Sequence, residues 1–404
     1  MASFSKNEKL TILILGVFYL AYQMSSIFLN LFLYAYTNSN MVTMAEYTIV
    51  RIAMFPIFFV AGGKLSTKKG YALTICLSFL IMAGQLFYVL LFNSYFADHN
   101  ALIFVAGLIG GIGEGYFWLT MNALQQIVAA PDYLALFVSV SGMFNNIGIV
   151  LAPVVANLFL KLGPTEMDGY LHIFLFIGAV FIVLSILSLQ LKVRPKQEDF
   201  SVLNCFRSKD KLWRVNLKST FLYGIRDSLT IILINLILFE ALGSRSISYS
   251  RYMVVFSLIT IAAYYICSRH MKTGSVMKSY LISSILVASA SIVMVIFYNR
   301  FGGLYYGIVN YAFSPMYTNG YSILGMDCIN RFKTTENISG RLIAREWSLE
   351  AGRIVGMGMI IAANRIFSHE LYLLISVITI SSFAMINVLY VRHAYHRLGY
   401  DRFG

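Results

Sequence analysis

The sequence predicts an all-α integral membrane protein, with twelve transmembrane helices in two six-helix bundles. Three observations carry this. Apolar residues make up 58% of the 404-residue chain and charged residues only 12%, against roughly 25% charged in soluble domains. Apolar runs recur along the whole chain, each near the ~20 residues a helix needs to cross the hydrocarbon. One basic, hydrophilic stretch, 192–214, divides six such runs from six others. A transmembrane barrel would alternate polar and apolar residues over about ten positions, and runs such as 10–36 and 171–191 are too long and too uniformly apolar for that.

In chain order the expected spans are 10–36, 43–63, 71–93, 101–128, 134–160, 169–191, 215–240, 249–268, 277–298, 302–328, 342–363 and 371–391. The first follows Lys6 and Lys9 and is too long for a signal-peptide core, so it reads as an uncleaved helix. Residues 1–191 form the expected first bundle, 192–214 a cytoplasmic central loop, and 215–404 the second bundle with a short cytoplasmic tail. Pro56, Pro153 and Pro315 fall inside spans; membrane helices tolerate them where neighbours satisfy the freed carbonyls. They read equally as hinges and as fixed kinks.

Orientation follows from the positive-inside rule. With the N-terminus in the cytoplasm, 22 of the 31 Lys and Arg residues fall on the inside. Five fall outside (Lys161, Arg245, Arg251, Arg300 and Arg365) and four lie within spans. This predicts a multi-pass protein of the cell membrane with both termini cytoplasmic. The net charge of +13 then needs no nucleic acid, because the basic residues face an anionic inner leaflet.

Enzyme chemistry finds little support. Cys76, Cys205, Cys267 and Cys328 are isolated and the six histidines scattered, so neither a disulfide framework nor a metal site is expected. Asn337-Ile338-Ser339 fits the glycosylation pattern but falls on the cytoplasmic side. There is no P-loop and no Gly-x-Ser-x-Gly. His396 and Asp401 have acyltransferase spacing but lie in a basic tail. No cofactor is expected.

The informative anomaly is charge inside the spans: Arg51, Glu114, Arg226, Asp227, Arg345, Glu346, Glu350 and Arg353. Each costs about 2.5–3.5 kcal/mol on insertion scales, so intramembrane charge is a functional-site signal by default. Four are cations and four anions.

The 6+6 layout, the charged centre and two motifs resemble the major facilitator superfamily. That family carries Gly-x-Leu-Ala-Asp-Arg-x-Gly between helices 2 and 3, and this chain has Gly63-Lys64-Leu65-Ser66-Thr67-Lys68-Lys69-Gly70. Gly63, Leu65, Lys68 and Gly70 match, while Thr67 replaces the family's acid and puts its gating salt bridge in doubt. Family exporters often carry Gly-x-x-x-Gly-Pro-x-x-Gly in helix 5, and here Gly148 to Ala156 runs GIVLAPVVA. The stretches YGIRDSL (223–229) and IAREWSLEAGRIVG (343–356) resemble the bacterial YqgE-like group of transporters. The resemblance implies two bundles rocking around a site near the midplane. It also implies a cytoplasmic gate at Gly63, Lys68 and Gly70, and Arg345 with Glu346 are expected to join it from their position near the cytoplasmic headgroups.

The residues themselves suggest roles. In span 4, Gly107, Gly111, Glu114, Trp118, Asn122 and Gln125 recur at i+3/i+4 spacing and share one face. Glu114 reads as a titrating or cation-binding carboxylate, or as one half of a fixed pair. In span 7, Arg226 and Asp227 are adjacent, so they point about 100° apart toward different neighbours. Tyr223, Asp227, Thr230 and Ile234 are expected on one face. In span 11, Glu346, Glu350 and Arg353 cluster, with Glu350–Arg353 spaced as a local pair. Arg51 stands alone in span 2 and calls for an anionic substrate group or a partner such as Glu114 or Asp227. Asn145 and Asn146 in span 5 suit hydrogen bonding across a bundle.

The expectation is a secondary transporter acting on a small solute by alternating access, coupled to protons, working as a monomer and more an exporter than an importer. Glu114, Asp227 and Glu350 are the candidates for protonation or substrate binding. Arg51, Arg226 and Arg353 are charge partners or anion ligands, and Trp118, Asn122, Gln125, Asn145, Asn146 and Tyr223 line the cavity. Two alternatives stand beside it: a flippase for a lipid-linked substrate, and a scaffold or sensor on a transporter fold whose charges are all structural.

Overall fold

The computed structural model describes residues 5–128, 134–193, 202–270, 276–330 and 338–399. Among them the chain is helical with short connections and has no strand. Local sequence sets the helix ends. α1 (Lys6–Tyr36) opens with a capping box, in which Ser5 Oγ accepts from Glu8 N–H and Glu8 Oε2 accepts from Ser5 N–H. This pairs two backbone donors that a helix start leaves free. Asn40 caps α2 (Met41–Lys69). α2 stops at Gly70, whose φ of +96° favours glycine, and α3 (Tyr71–Phe92) begins at the next residue. α4 (Asn100–Val128) and α5 (Leu134–Leu162) follow. A second capping box, Thr165 with Asp168, starts α6 (Glu166–Ser188).

The stretch expected as central loop contains one short helix, α7 (Val202–Phe206). α8 (Lys211–Ser228) begins four residues ahead of the expected span because Asp210 caps it, accepting from Trp213 N–H at 2.6 Å. It runs through a π-helical turn, Leu229–Leu233, into α9 (Ile234–Ala241). The wider turn changes the angle per residue; Thr230 still meets Asp227, its Oγ1 donating to Asp227 Oδ1 at 2.9 Å. α10 (Ser246–His270), α11 (Val276–Ile296), α12 (Arg300–Asn330), α13 (Ile338–Ile366) and α14 (His369–Arg397) complete the fold.

The expected spans correspond to α1–α6, the joined α8–α9 segment, and α10–α14. Among the described residues, ten are both long and apolar enough to cross a membrane. α12 and α13 have the length, at 31 and 29 residues, or about 45 Å each at 1.5 Å per residue. They fall short in hydropathy because of what they carry: tyrosines and asparagines in α12, and Arg341, Arg345, Glu346, Glu350, Arg353 and Arg365 in α13.

The chain divides into two compact units, Met1–Glu198 and Asp199–Gly404. In the first, α1 packs on α5 and α6, α2 on α4, α3 on α4 and α6, and α5 on α6. In the second, α8 packs on α13 and α14, α10 on α12, α11 on α12 and α14, and α13 on α14. Numbering the spans within each unit, the pairing is the same in both. In each unit, large apolar side chains face outward (Leu91, Leu158 and Ile186 in the first; Val255, Phe301 and Ile366 in the second), while polar ones are buried (Asn30 and Gln85 in the first; Arg226, Glu350, Asn310 and Asn387 in the second). That inversion suits a lipid surround, where backbone and polar groups must be satisfied from within.

Glycines set the tightest contacts. A Cβ on Gly224 of α8 would lie 2.3 Å from Leu349 O, and one on Gly352 of α13 would lie 2.1 Å from Phe221 O. Small residues at membrane-helix crossings permit such backbone contact. Gly352→Ala is therefore expected to destabilise by about 1–3 kcal/mol, the usual cost of overpacking. Gly358, on the same helix, faces open space, and Gly358→Ala is expected to be neutral or stabilising by up to ~1 kcal/mol through helix propensity. Melting curves of the two detergent-solubilised variants test this; equal melting temperatures would contradict the backbone contact.

Candidate functional site

Five of the eight intramembrane charges close into ion pairs, each within one unit. In the first unit, Arg51 of α2 meets Glu114 of α4. Arg51 Nε donates to Glu114 Oε2 at 3.2 Å and Nη2 donates to Oε1, a two-pronged contact. Fork geometry makes this the stronger class of ion pair. It forms where α4 presses on α2: a Cβ on Gly111 would meet Arg51 O at 2.2 Å. One turn along, the Trp118 ring sits edge-on to Phe18 and Tyr22 of α1, at 5.7 and 5.9 Å. Asn122, Gln125 and Asn145 are half-buried, and the Asn146 side chain lies outside the described residues.

In the second unit the arrangement is a trio. Arg353 of α13 donates from Nε and Nη2 to Asp227 Oδ2 of α8, at 2.9 and 2.6 Å, and from Nη1 to Glu350 Oε1 at 2.5 Å. Thr230 Oγ1 donates to Asp227 Oδ1 at 2.9 Å. Glu350 is 2% exposed, and its Oε2 is buried without a hydrogen-bond partner. Two carboxylates thus share one guanidinium. With both ionised, the trio carries one excess negative charge; one added proton removes it.

Arg226, beside Asp227 in sequence, points elsewhere. Its guanidinium carbon lies 5.0 Å from the centre of the Tyr317 ring. It is 5% exposed, its Nη2 is buried without a hydrogen-bond partner, and it makes no ion pair with a described residue. Burying an unpaired ion costs several kcal/mol even after relaxation, whereas a desolvated cation–π contact returns about 2 kcal/mol. The contact with Tyr317 therefore does not balance this charge. Tyr317 is stacked on Tyr223 at 5.5 Å, and Tyr223 on Tyr321 at 3.8 Å. Arg345 caps the far end, 4.8 Å from the Tyr321 ring. Glu346, next to it, is half-buried and also makes no ion pair within 4 Å of a described residue.

At the C-terminal end of α2, Gly63 is buried and Lys68 exposed. Lys68, Lys69, Gly70 and Lys192 line a cavity of about 540 Å³. Among the described residues no group of three or more His, Cys, Asp or Glu side chains is placed to hold a metal ion.

Sequence reasoning passed over Tyr317 and Tyr321, although they sit at i,i+4 on a helix already unusually polar. It also placed Arg341 in a cytoplasmic loop; the residue is 1% exposed, with its guanidinium 4.7 Å from the Trp213 ring.

Comparison with known proteins bears on the family and the fold. The sequence model of the Major Facilitator Superfamily matches residues 5–331. An uncharacterised protein, YqgE, of Bacillus subtilis (strain 168) is 26% identical over 346 residues, covering 85% of this chain and 79% of that protein. A Geobacillus stearothermophilus protein described only by its position 3′ of sodM is 26% identical over 170 residues, covering 42% of this chain and 77% of its own length. Among solved structures, the nucleoside transporter NupG superposes with a TM-score of 0.71 at 12% identity, covering 97% of this chain and 99% of its own. A D-xylose–proton symporter superposes with 0.69 at 15% identity, covering 95% and 96%.

Removing one partner of a buried pair costs about 3–5 kcal/mol, while replacing both with apolar groups is often neutral. Arg51→Leu and Glu114→Leu are each expected to lower the melting temperature sharply, and the double variant to recover most of the loss. A double-mutant cycle on purified protein reads this directly; additive losses would mean the pair is not coupled.

Proposed function

Because the chain belongs to the major facilitator superfamily, we propose that it is a proton-coupled secondary transporter that moves a small solute by alternating access. The observation that carries the proton coupling is the trio: two carboxylates on one guanidinium, with a buried Glu350 oxygen left unbonded. Such a group gains or loses a proton at little structural cost, because the Arg353 fork holds its geometry in either state. Glu350 is the first proton carrier, Asp227 is the second, and Arg353 fixes both by donating to each carboxylate. Glu114 is the third candidate, held by Arg51. The D-xylose–proton symporter among its structural neighbours is a precedent for proton coupling on this fold.

In this reading both termini are cytoplasmic, in a cell membrane, with the basic loops against the anionic leaflet. Each unit is assigned its own surface toward the solute, the half-buried face of α4 beyond Trp118 in the first and the Tyr223 stack in the second, and its own gating residues, Gly63–Gly70 in the first and Arg345 with Glu346 in the second. Export is preferred over uptake on the helix 5 resemblance. A second reading, a scaffold or sensor with structural charges, draws support from the closed Arg51–Glu114 fork.

Proteoliposomes with a trapped pH-sensitive dye separate these readings. The parent is expected to show solute-dependent proton movement for at least one member of a broad panel of sugars, nucleosides, organic acids and amines. Glu350→Gln is expected to abolish proton movement while retaining solute exchange at equal pH. If Glu114→Gln, Asp227→Asn and Glu350→Gln all behave like the parent, the coupling assignment fails. If the parent moves neither protons nor any solute, the scaffold reading replaces transport.

A further inference from the structure

Arg226 is a buried guanidinium of the second unit that makes no ion pair with a described residue. Arg51 and Arg353 are occupied by carboxylates. Arg226 is buried in the same low-dielectric interior, with its Nη2 unbonded and a single tyrosine ring for company. Asp227, the nearest acid along the chain, is taken by Arg353. A guanidinium presents a planar fork of donors that matches an oxyanion in two-pronged geometry. The buried, unbonded nitrogen is therefore one arm of such a fork waiting for an acceptor.

The surroundings suit an anion that carries an organic body. Tyr317 lies under the guanidinium, Tyr223 stacks on Tyr317, and Tyr306, 2% exposed, lies within electrostatic reach of Arg226. Aromatic walls bury apolar surface at little entropic cost. Arg226 also lies three residues ahead of the π-helical turn Leu229–Leu233, and such turns concentrate at functional sites. We propose that Arg226, walled by Tyr317, Tyr306 and Tyr223, is the binding site for the oxyanion of a small organic anion, a carboxylate or a phosphate ester, which is the transported solute.

This inference rests on the transport reading and adds a link to it. Asp227 follows Arg226 on α8 and is tied to Arg353 and, through that guanidinium, to Glu350 of α13; Arg345 and Glu346 lie further along α13, with Arg345 on the Tyr321 ring, and the tyrosines Tyr317 and Tyr306 come from α12. When the Asp227–Arg353–Glu350 trio gains a proton, its excess negative charge disappears and Arg226 faces an arriving anion unopposed. Anion binding is then tighter at acid pH, and solute and proton move together.

The test is thermal melting of the full chain in detergent, titrated with sodium acetate, sodium benzoate or sodium phosphate. Sodium chloride at matched ionic strength and benzamide, the uncharged counterpart of benzoate, are the controls. At least one of the three anions is expected to raise the melting temperature above chloride, and benzamide is not. Benzoate ahead of phosphate assigns the carboxylate class; phosphate ahead assigns the phosphate class. Arg226→Gln is expected to remove the shift, and Arg226→Lys, which keeps the charge but not the fork, to weaken the apparent affinity about tenfold. The proposal is overturned if no anion exceeds chloride. It is overturned equally if Arg226→Gln responds like the parent or, should that variant not fold, if Arg226→Lys does. Anion binding that depends on Arg226 but not on pH upholds the site and removes the proton-coupling reading instead.

Discussion

Backbone contact between α8 and α13 is the constraint on which the rest depends. Gly224 and Gly352 meet the facing backbone so closely that neither position has room for a Cβ. Only at that separation does an arginine on α13 reach a carboxylate on α8 with two nitrogens at once. Charge in a membrane interior survives by pairing, and pairing at hydrogen-bond distance needs helices that touch. The first unit applies the same rule at a different crossing, where Gly111 brings α4 onto α2 and Arg51 onto Glu114.

The two units share a packing plan and differ in their electrostatics. Span for span, the main helix pairings correspond in the two units. The first unit holds a one-to-one ion pair, electrically complete. The second holds a trio with an acid in excess, a buried arginine that pairs with no acid among the described residues, and a tyrosine stack with a guanidinium at each end. A complete pair suits a brace, whereas an incomplete set suits exchange of a proton or an anion. In the Proposed function, the chemistry accordingly falls mainly on α8, α12 and α13 and the structural duty on α2 and α4.

The fold was legible because its causes are local along the chain. Spans follow from about 20 apolar residues in a row, and caps such as Ser5 with Glu8 or Asp210 with Trp213 N–H are read from neighbouring residues. Where boundaries moved, a local signal had been passed over: Asp210 started α8 early, and the π-helical turn after Ser228 leaves no mark in the apolar pattern. The Glu350–Arg353 pair was legible for the same reason, since three residues along a helix bring side chains together. The Asp227–Arg353 and Arg51–Glu114 contacts join residues 126 and 63 positions apart. Spacing carries no information on such partners.

The sequence by itself determined that this chain is a helical membrane protein resembling the major facilitator superfamily, and it singled out eight charges expected within the spans. It did so because hydropathy and positive-inside charge act residue by residue. Only the tertiary structure decided which of those charges neutralise each other and that Arg226 is left facing tyrosine instead of carboxylate. The physical reason is that charge compensation in a low-dielectric interior depends on distance through space, and that distance is set by where glycines let helices cross.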